Sequence, residues 1–423
     1  MTILTSPLSV DRRGQSPAAG SDTARRRSLV VEWLAHPQAS FYLVLVPAVL
    51  LLGLGTLMVL SASSVYAEVR FDDAYYFLKR HVVFLVLGGI AAGVLALSSV
   101  QRLKIFGWLV VVGAFVAQLM TFTSLGWAKN GNKNWVDLGV LGRIQPSEFA
   151  KLAIVLWGAD VLARKYKLLG QPRHLLVPFV PVAALLIGLV VLQRDLGTGM
   201  VLGAIVLAVL WFVGSSWKVL GSILGMVGAV VGALVITNAH RMDRILGFLN
   251  PDADPLGVNH QPIKAMMALA SGGWWGLGLG ASRQKWGGLV ESHTDYVLAV
   301  IGEELGLVGT LVVLALLLVL GYAGFRIAMR SDILFCRFAA GGLSSWLMIQ
   351  ALVNVMVVLR MVPVLGVPLP LLSYGGSALI ANLCAVGILL ACARQEPAAR
   401  ALSSRRKLRR SVQVSAVLPG GRR

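Results

Sequence analysis

The stretch "ESHTDYVLAVIGEELGLVGTLVVLALLLVLGYAGF", Glu291 to Phe325, decides the fold class. From Tyr296 onward it is apolar with few interruptions for about 30 residues, or about 45 Å of helix, against a bilayer hydrocarbon core of about 30 Å. A segment of that length and character is a membrane span with one end standing above the core. Taking Arg326 as the anchor at the far end, a count back of about 20 residues puts Gly306 at the edge of the core and Asp295 in the headgroup layer. Four carboxylates, Glu291, Asp295, Glu303 and Glu304, crowd the start of this span, in a chain with only 19 acidic residues against 38 basic ones. Charge at a membrane helix mouth is costly and marks function by default.

The rest of the chain repeats the apolar pattern. It has 423 residues, 57% hydrophobic and 13% charged, with a mean hydropathy of +0.77, above what a water-facing domain carries. Apolar runs lie at Ser40 to Leu60, His81 to Leu97, Ile105 to Phe122, Ser147 to Leu162 and Leu175 to Leu192, then at Gly197 to Val213 and Val219 to Ile236. After the quoted span come Phe335 to Leu359 and Ser377 to Ala393. The expectation is an all-α polytopic membrane protein of about ten transmembrane helices, with a long extracytoplasmic loop, Asn238 to Ser292, between the seventh and eighth. Short basic loops (Arg102 and Lys104; Arg164, Lys165 and Lys167; Arg326 and Arg330) put both termini in the cytoplasm.

Residues 1–38 and 394–423 read as disordered basic cytoplasmic tails around a membrane domain of 39–393. The tails account for most of the net charge of +19 and suit anionic lipid, so nucleic acid is a poor inference. Cys336, Cys384 and Cys392 form no disulfide framework, and no HExxH or Cys/His cluster supports metal hydrolase chemistry.

The long loop contains "QPIKAMMALASGGWWGLGLG", with Ile263, Met266, Met267 and Ala270 at helical spacing between Pro262 and Gly272. This predicts a short helix lying on the membrane surface, more a cover than a substrate groove. Gly276, Gly278 and Gly280 are no nucleotide loop, because no strand precedes them. Arg283 and Lys285 follow, and Arg241, Arg244, Lys129 and Lys133 share their side of the membrane. Such cations suit a phosphate or pyrophosphate, or simple headgroup contact.

For Asp295, capping of the helix and catalysis stand as even alternatives. Glu303 lies about 80° around and about 12 Å along from it, on a shared face, whereas Glu304 points nearly opposite and suits a bond to a neighbouring helix. "QRDLGTG", with Asp195 and Thr198, and "GVPLPLLSYGGSALI", with Ser373, add irregular polar backbone near two span ends. Such backbone at membrane depth implies a cavity between helices. A lipid flippase or transporter would suit the same topology but should carry midplane charges, and only Lys151 and Asp160 interrupt the apolar cores.

"NKNWVDLG…IQPSEFAKL" (Asn132 to Leu152), "QRDLGTG", "NPDADPLG", "SGGWWGLGLGASRQK", "HTDYVLAVIGEELGLVG" and "PVLGVPLPLLSYGGSALI" together resemble the SEDS family of shape, elongation, division and sporulation proteins. The resemblance runs from Phe41 to Ala393, and "SRQK" and "HTD…GEELG" resemble the cell-division branch most, the elongation branch second. Arg194 stands where the family usually has proline, and "LVESHTDY" replaces a typical "LPEAHTDF".

The resemblance implies a peptidoglycan glycosyltransferase that polymerises lipid II at the outer face of the bacterial cytoplasmic membrane, for septal wall synthesis. Asp295 matches the family's catalytic aspartate. Glu303, His293, Asp195 and Ser373 are supporting candidates, and Arg283, Lys285, Arg241 and Lys133 are candidates for the pyrophosphate. A divalent cation, magnesium or manganese, is the alternative counter-charge. The implied partners are a class B penicillin-binding protein and other divisome membrane proteins, with no nucleic acid.

Overall fold

The computed structural model describes residues 34–402, with 32 and 404, except 130, 138, 140, 141, 238, 251–256, 258, 287, 290 and 291. Most of both expected tails, Glu291 and most of the "NPDADPLG" motif lie outside the described residues, as do the side chains of Lys129 and Arg241.

The chain is an all-α polytopic membrane protein. It begins with α1 (Ala39–Phe71), α2 (Tyr76–Ala96) and α3 (Val100–Met120). A small sheet, β1 (Gly126–Lys129), β2 (Asn132–Asp137) and β3 (Arg143–Ile144), leads to α4 (Pro146–Arg164), α5 (Pro172–Leu176), α6 (Phe179–Leu192), α7 (Leu196–Val213) and α8 (Trp217–Ile236). The long loop holds α9 (Ala239–Leu249) and α10 (His260–Gly272), and α11 (Val297–Arg330), α12 (Leu334–Val358) and α13 (Gly376–Arg394) complete the bundle.

Among the described residues, eight helices are long and apolar enough to cross a membrane. The other two predicted spans correspond to α4 and α6. Helix α4 carries Glu148, Lys151, Asp160 and Arg164, yet all but Phe149 from Pro146 to Leu162 is buried, so protein rather than lipid surrounds Glu148, Lys151 and Asp160, while Arg164 at its end is exposed. Helix α6 has only 14 residues. At the other extreme, only 6% of the most apolar window of α8 is buried, against 89% for α13. Helix α8 therefore turns its apolar side chains outward, while α13 fills the centre against α2 and α1.

The sheet was not expected. The strands pair antiparallel in the order β1-β2-β3, with Trp127 opposite Trp135. Asn134 and Val136 are buried while their neighbours are less so, the period of two that a half-buried strand requires. A strand this short and polar leaves no apolar run in the sequence, and so no legible signal.

Helix α10 forms where expected, but its buried face differs. Pro262, Ala265, Ala268 and Gly272 pack inward, while Met266 and Met267 are exposed. A soluble helix would bury its largest apolar residues; beside lipid they can face outward, and small residues let backbones approach. Helix α10 therefore packs against α11 rather than simply lying over the surface.

The decisive span is itself broken. Gly306 has φ 68° and ψ −167°, so α11 is two helical pieces joined at a kink. The 273–278 segment fills the break: Leu277 N donates to Glu303 O (2.9 Å) and Gly278 N to Glu304 O (3.0 Å), while Leu307 N and Val308 N donate to Gly273 O (2.9 Å) and Trp274 O (3.2 Å). Four backbone groups that a helix break would orphan are thus paired, as membrane depth demands. A Cβ on Gly306 would come within 2.4 Å of Gly276 N, and one on Gly276 within 2.2 Å of Glu304 O. The glycines that mimic a nucleotide loop in sequence include one whose task is this backbone approach.

Candidate active site

Asp295 lies just before α11, half-buried. The cap position of α11 is Tyr296, whose side chain makes no cap bond. Asn354, near the end of α12, donates from one amide to Asp295 O (2.7 Å) and Val367 O (2.8 Å), tying the aspartate's backbone to the segment between α12 and α13. A Cβ on Gly366 would lie 3.5 Å from Asp295 Oδ2, so the carboxylate rests beside that segment. His293 is buried in an aromatic cluster, its ring centroid 4.7 Å from Phe77, 5.6 Å from Tyr374 and 6.0 Å from Tyr66. Its carbonyl accepts from Tyr374 N (2.9 Å). Asp295 is held from both sides by backbone contacts to other elements, which limits its freedom.

The other carboxylates do something else. Glu303 is fully buried and accepts from Ser282 Oγ (2.5 Å) and Arg283 N (2.9 Å). Glu304, also buried, accepts from Ser61 Oγ on α1 (2.6 Å) and Ser282 N (3.3 Å), and pairs with Lys285 Nζ (3.3 Å). The two acids form a clasp that fastens the "ASRQK" segment to the broken helix.

This reassigns several candidates. The Lys285 ammonium is buried and bonded to Gly280 O (2.6 Å) as well as Glu304, so its charge is spent inside the protein. Arg283 keeps an exposed side chain while its backbone feeds Glu303. Lys133 is exposed on β2 and donates to Thr123 O (3.1 Å). Asp195 caps α7, accepting from Thr198 N (3.0 Å), Thr198 Oγ1 (2.9 Å) and Asn134 Nδ2 of β2 (2.7 Å). Ser373 Oγ accepts from Leu369 N (2.8 Å) and stabilises its own turn. Arg241 lies on α9, with its side chain outside the described residues. Glu303, Lys285, Asp195 and Ser373 thus hold backbone in place rather than reach into open space.

The two intramembrane charges noted in the sequence are also engaged. Lys151 Nζ lies 2.8 Å from Glu148 Oε1 and 2.9 Å from Gln350 Oε1, over the Trp346 ring. Asp160 accepts from Trp108 Nε1 (3.0 Å) and pairs with Arg164 (2.6 Å) and Lys104 (3.5 Å). Among the described residues, no three His, Cys, Asp or Glu side chains gather as metal ligands. A divalent cation here would draw on Asp295 together with phosphate oxygens and water, a ligand set that magnesium accepts.

Sequence reasoning did not single out Arg360. It follows α12 and lines, with Arg244 of α9, a cleft that also includes Pro262 of α10 and Val364. The only legible signal was a cation between an apolar helix and a proline-rich segment.

With this geometry in hand, comparison with known proteins is informative. A family described as "Cell cycle protein", that of FtsW, RodA and SpoVE, matches residues 42–398. The "Probable peptidoglycan glycosyltransferase FtsW" of Mycobacterium tuberculosis is 36% identical over 396 residues, covering 93% of this chain and 75% of the relative. The "Stage V sporulation protein E" of Bacillus subtilis is 37% identical over 360 residues, covering 83% of this chain and 96% of that one.

Among solved structures, a chain described under "Structural coordination of polymerization and crosslinking by a peptidoglycan synthase complex" aligns with TM-score 0.66 at 29% identity, covering 86% of this chain and 98% of its own. The Thermus thermophilus rod shape determining protein RodA aligns with TM-score 0.59 at 26% identity, covering 86% and 99%. The family match over most of the chain, the relatives and the structural alignments agree in one conclusion: the chain belongs to the FtsW, RodA and SpoVE family of cell cycle proteins.

Proposed function

We propose that this chain polymerises lipid II, an undecaprenyl pyrophosphate-linked disaccharide-pentapeptide, into glycan strands, with Asp295 as general base. The coarser activity, peptidoglycan glycosyl transfer in cell wall synthesis, rests on family membership and on relatives that bear that name. The observation that carries the finer reading is the contrast among carboxylates. Glu303 and Glu304 are fully buried, while Asp295 is partly exposed at the helix mouth, where the head of a lipid-linked sugar would lie.

In the reaction, a sugar hydroxyl of one substrate attacks the anomeric carbon of the other. The anomeric C–O bond breaks, its electron pair passes to the pyrophosphate oxygen, and the hydroxyl proton moves to Asp295. A positioned carboxylate base supplies about 10²- to 10⁴-fold. A magnesium or manganese ion, when bound, would neutralise charge developing on the pyrophosphate. Against the transport alternative stands the engagement of Lys151 and Asp160 with fixed partners, since a carrier needs intramembrane charges that change partners.

The test is incubation of the purified chain with labelled lipid II, with and without a class B penicillin-binding protein as partner, followed by sizing of the glycan. Polymer in either condition supports the reading, and none in both overturns it. The outer-face orientation has its own check. A cysteine introduced at Gly131 should react with an impermeant thiol reagent added outside intact cells, and one at Ser403 should not; the reverse pattern inverts the protein. A role in septation predicts that the chain gathers at the division site beside other divisome membrane proteins.

A further inference from the structure

Helix α12 ends in a motif that ordinarily requires glycine. Leu359 is the cap, Arg360 N donates to Val357 O (3.0 Å) and Met361 N to Met356 O (2.7 Å). This is the Schellman pattern, whose left-handed residue is usually glycine because a Cβ is disfavoured there. Arg360 occupies it with φ 57°. A side chain kept in such a conformation needs compensation from its surroundings, and such positions cluster at ligand sites. The bland account is that a cation favours the negative end of the α12 dipole, but a lysine or arginine inside the last turn would serve without this strain.

The surroundings point further. Arg360 Nη2 is buried with no hydrogen-bond partner among the described residues, although a buried guanidinium nitrogen is normally paired. Arg360 and the exposed Arg244 line one cleft, and among the described residues that line it there is no carboxylate. Two guanidinium groups sharing one cleft favour a phosphoanion, which they can grip through paired N–H bonds.

The cleft is also close to the reacting end. Val364 lines it, and Gly366, two residues on, lies against the Asp295 carboxylate. Asn354, on the helix that Arg360 terminates, holds the Asp295 backbone. Tyr296, next to Asp295, is within electrostatic reach of both Asp295 and Arg244.

We propose that Arg244 and Arg360 form a phosphoanion site that seats the pyrophosphate of a lipid-linked sugar beside Asp295, a reading that rests on the glycosyl-transfer function above. The pair then takes up the negative charge that the leaving pyrophosphate gains as its bond to the anomeric carbon breaks. The same chemistry could be met by a bulk phospholipid headgroup, and the experiment separates the two.

Binding of undecaprenyl pyrophosphate and of phosphatidylglycerol to the full-length protein in detergent would be measured by native mass spectrometry, for the wild type, Arg360→Gly, Arg244→Gln and the double variant. Loss of charge-assisted bonds should weaken undecaprenyl pyrophosphate binding by about tenfold or more and leave phosphatidylglycerol within about twofold. Arg360→Gly should unfold at the same temperature or higher, because glycine suits the left-handed position. Arg244→Gln, at an exposed helix site, carries the same binding expectation without touching that backbone.

Unchanged pyrophosphate binding in the double variant overturns the site, and so does a parallel loss of both lipids, which would mark ordinary headgroup contact. The outcomes also separate the two proposals. A wild-type protein that makes no glycan but shows the selective binding loss keeps this site and removes the polymerase reading. Normal polymerisation with an unchanged half-saturating lipid II concentration in the double variant does the reverse.

Discussion

Within ten residues, the start of α11 contains two regions of opposite design. At Glu303 and Glu304 both carboxylates are sealed from solvent and accept hydrogen bonds from Ser282, Arg283, Ser61 and Lys285. Asp295 is half-buried, its carboxylate beside Gly366 of the loop whose Val364 lines a cleft with Arg360 and Arg244. The first region resembles a structural joint: it repairs a helix break and satisfies its charges inside the protein. The second is partly exposed, beside the loop whose Val364 lines the cleft of Arg244 and Arg360. A carboxylate at a membrane helix mouth is therefore not one kind of thing, and the state of its neighbours separates architecture from chemistry.

The sharpest way to break this comparison is to change charge and keep shape. Asp295→Asn should lower glycan polymerisation by about 10²-fold or more, because an amide accepts no proton at neutral pH, while thermal unfolding in detergent stays near wild type. Near-normal polymer would move Asp295 into the same structural class as its neighbours.

Glu304→Ala should show the opposite profile. Removing one partner of a buried ion pair strands the other, at a cost of about 3–5 kcal/mol. The unfolding transition should fall accordingly, with activity lost in step with folded protein. Adding Lys285→Met should recover part of that loss by removing the stranded ammonium. A double variant no more stable than Glu304→Ala would mean that Lys285 is not the group being stranded.

A smaller effect is expected at the kink. Gly306→Ala places a Cβ close to Gly276 N in a left-handed conformation, which should destabilise by about 1–3 kcal/mol through strain and overpacking. Denaturant or thermal titration would reveal it, and a neutral result would show that the 273–278 segment is free to yield. The smallest effect belongs to Asp195→Ala, which removes the α7 cap and should cost about 0.5–2 kcal/mol. An activity loss far larger than that cost in stability would return Asp195 to the reaction.

These expectations differ from what the residues alone suggested, and the reasons are particular. Helical geometry put Glu303 on the face of Asp295, but it could not foresee that the 282–283 segment folds against α11 and occupies the Glu303 carboxylate with Ser282 Oγ and Arg283 N. Lys285 and Arg283 look equivalent in "ASRQK", yet one ammonium is drawn to Glu304 and the other side chain remains exposed. Met266 and Met267 mark a helical face correctly, but in a membrane that face can point away from the protein core.

By itself the sequence determined the membrane class, the order of the helices, the presence of α10 in the long loop and the family, because length, hydropathy and motif order are one-dimensional properties. Which carboxylates are fully buried and which stays partly exposed was a matter for the tertiary structure. So was the meeting of Arg244 and Arg360, which stand 116 positions apart and share one cleft. Burial and hydrogen-bond satisfaction depend on neighbours brought from elsewhere in the chain, and a charge acquires its role from the groups that surround it.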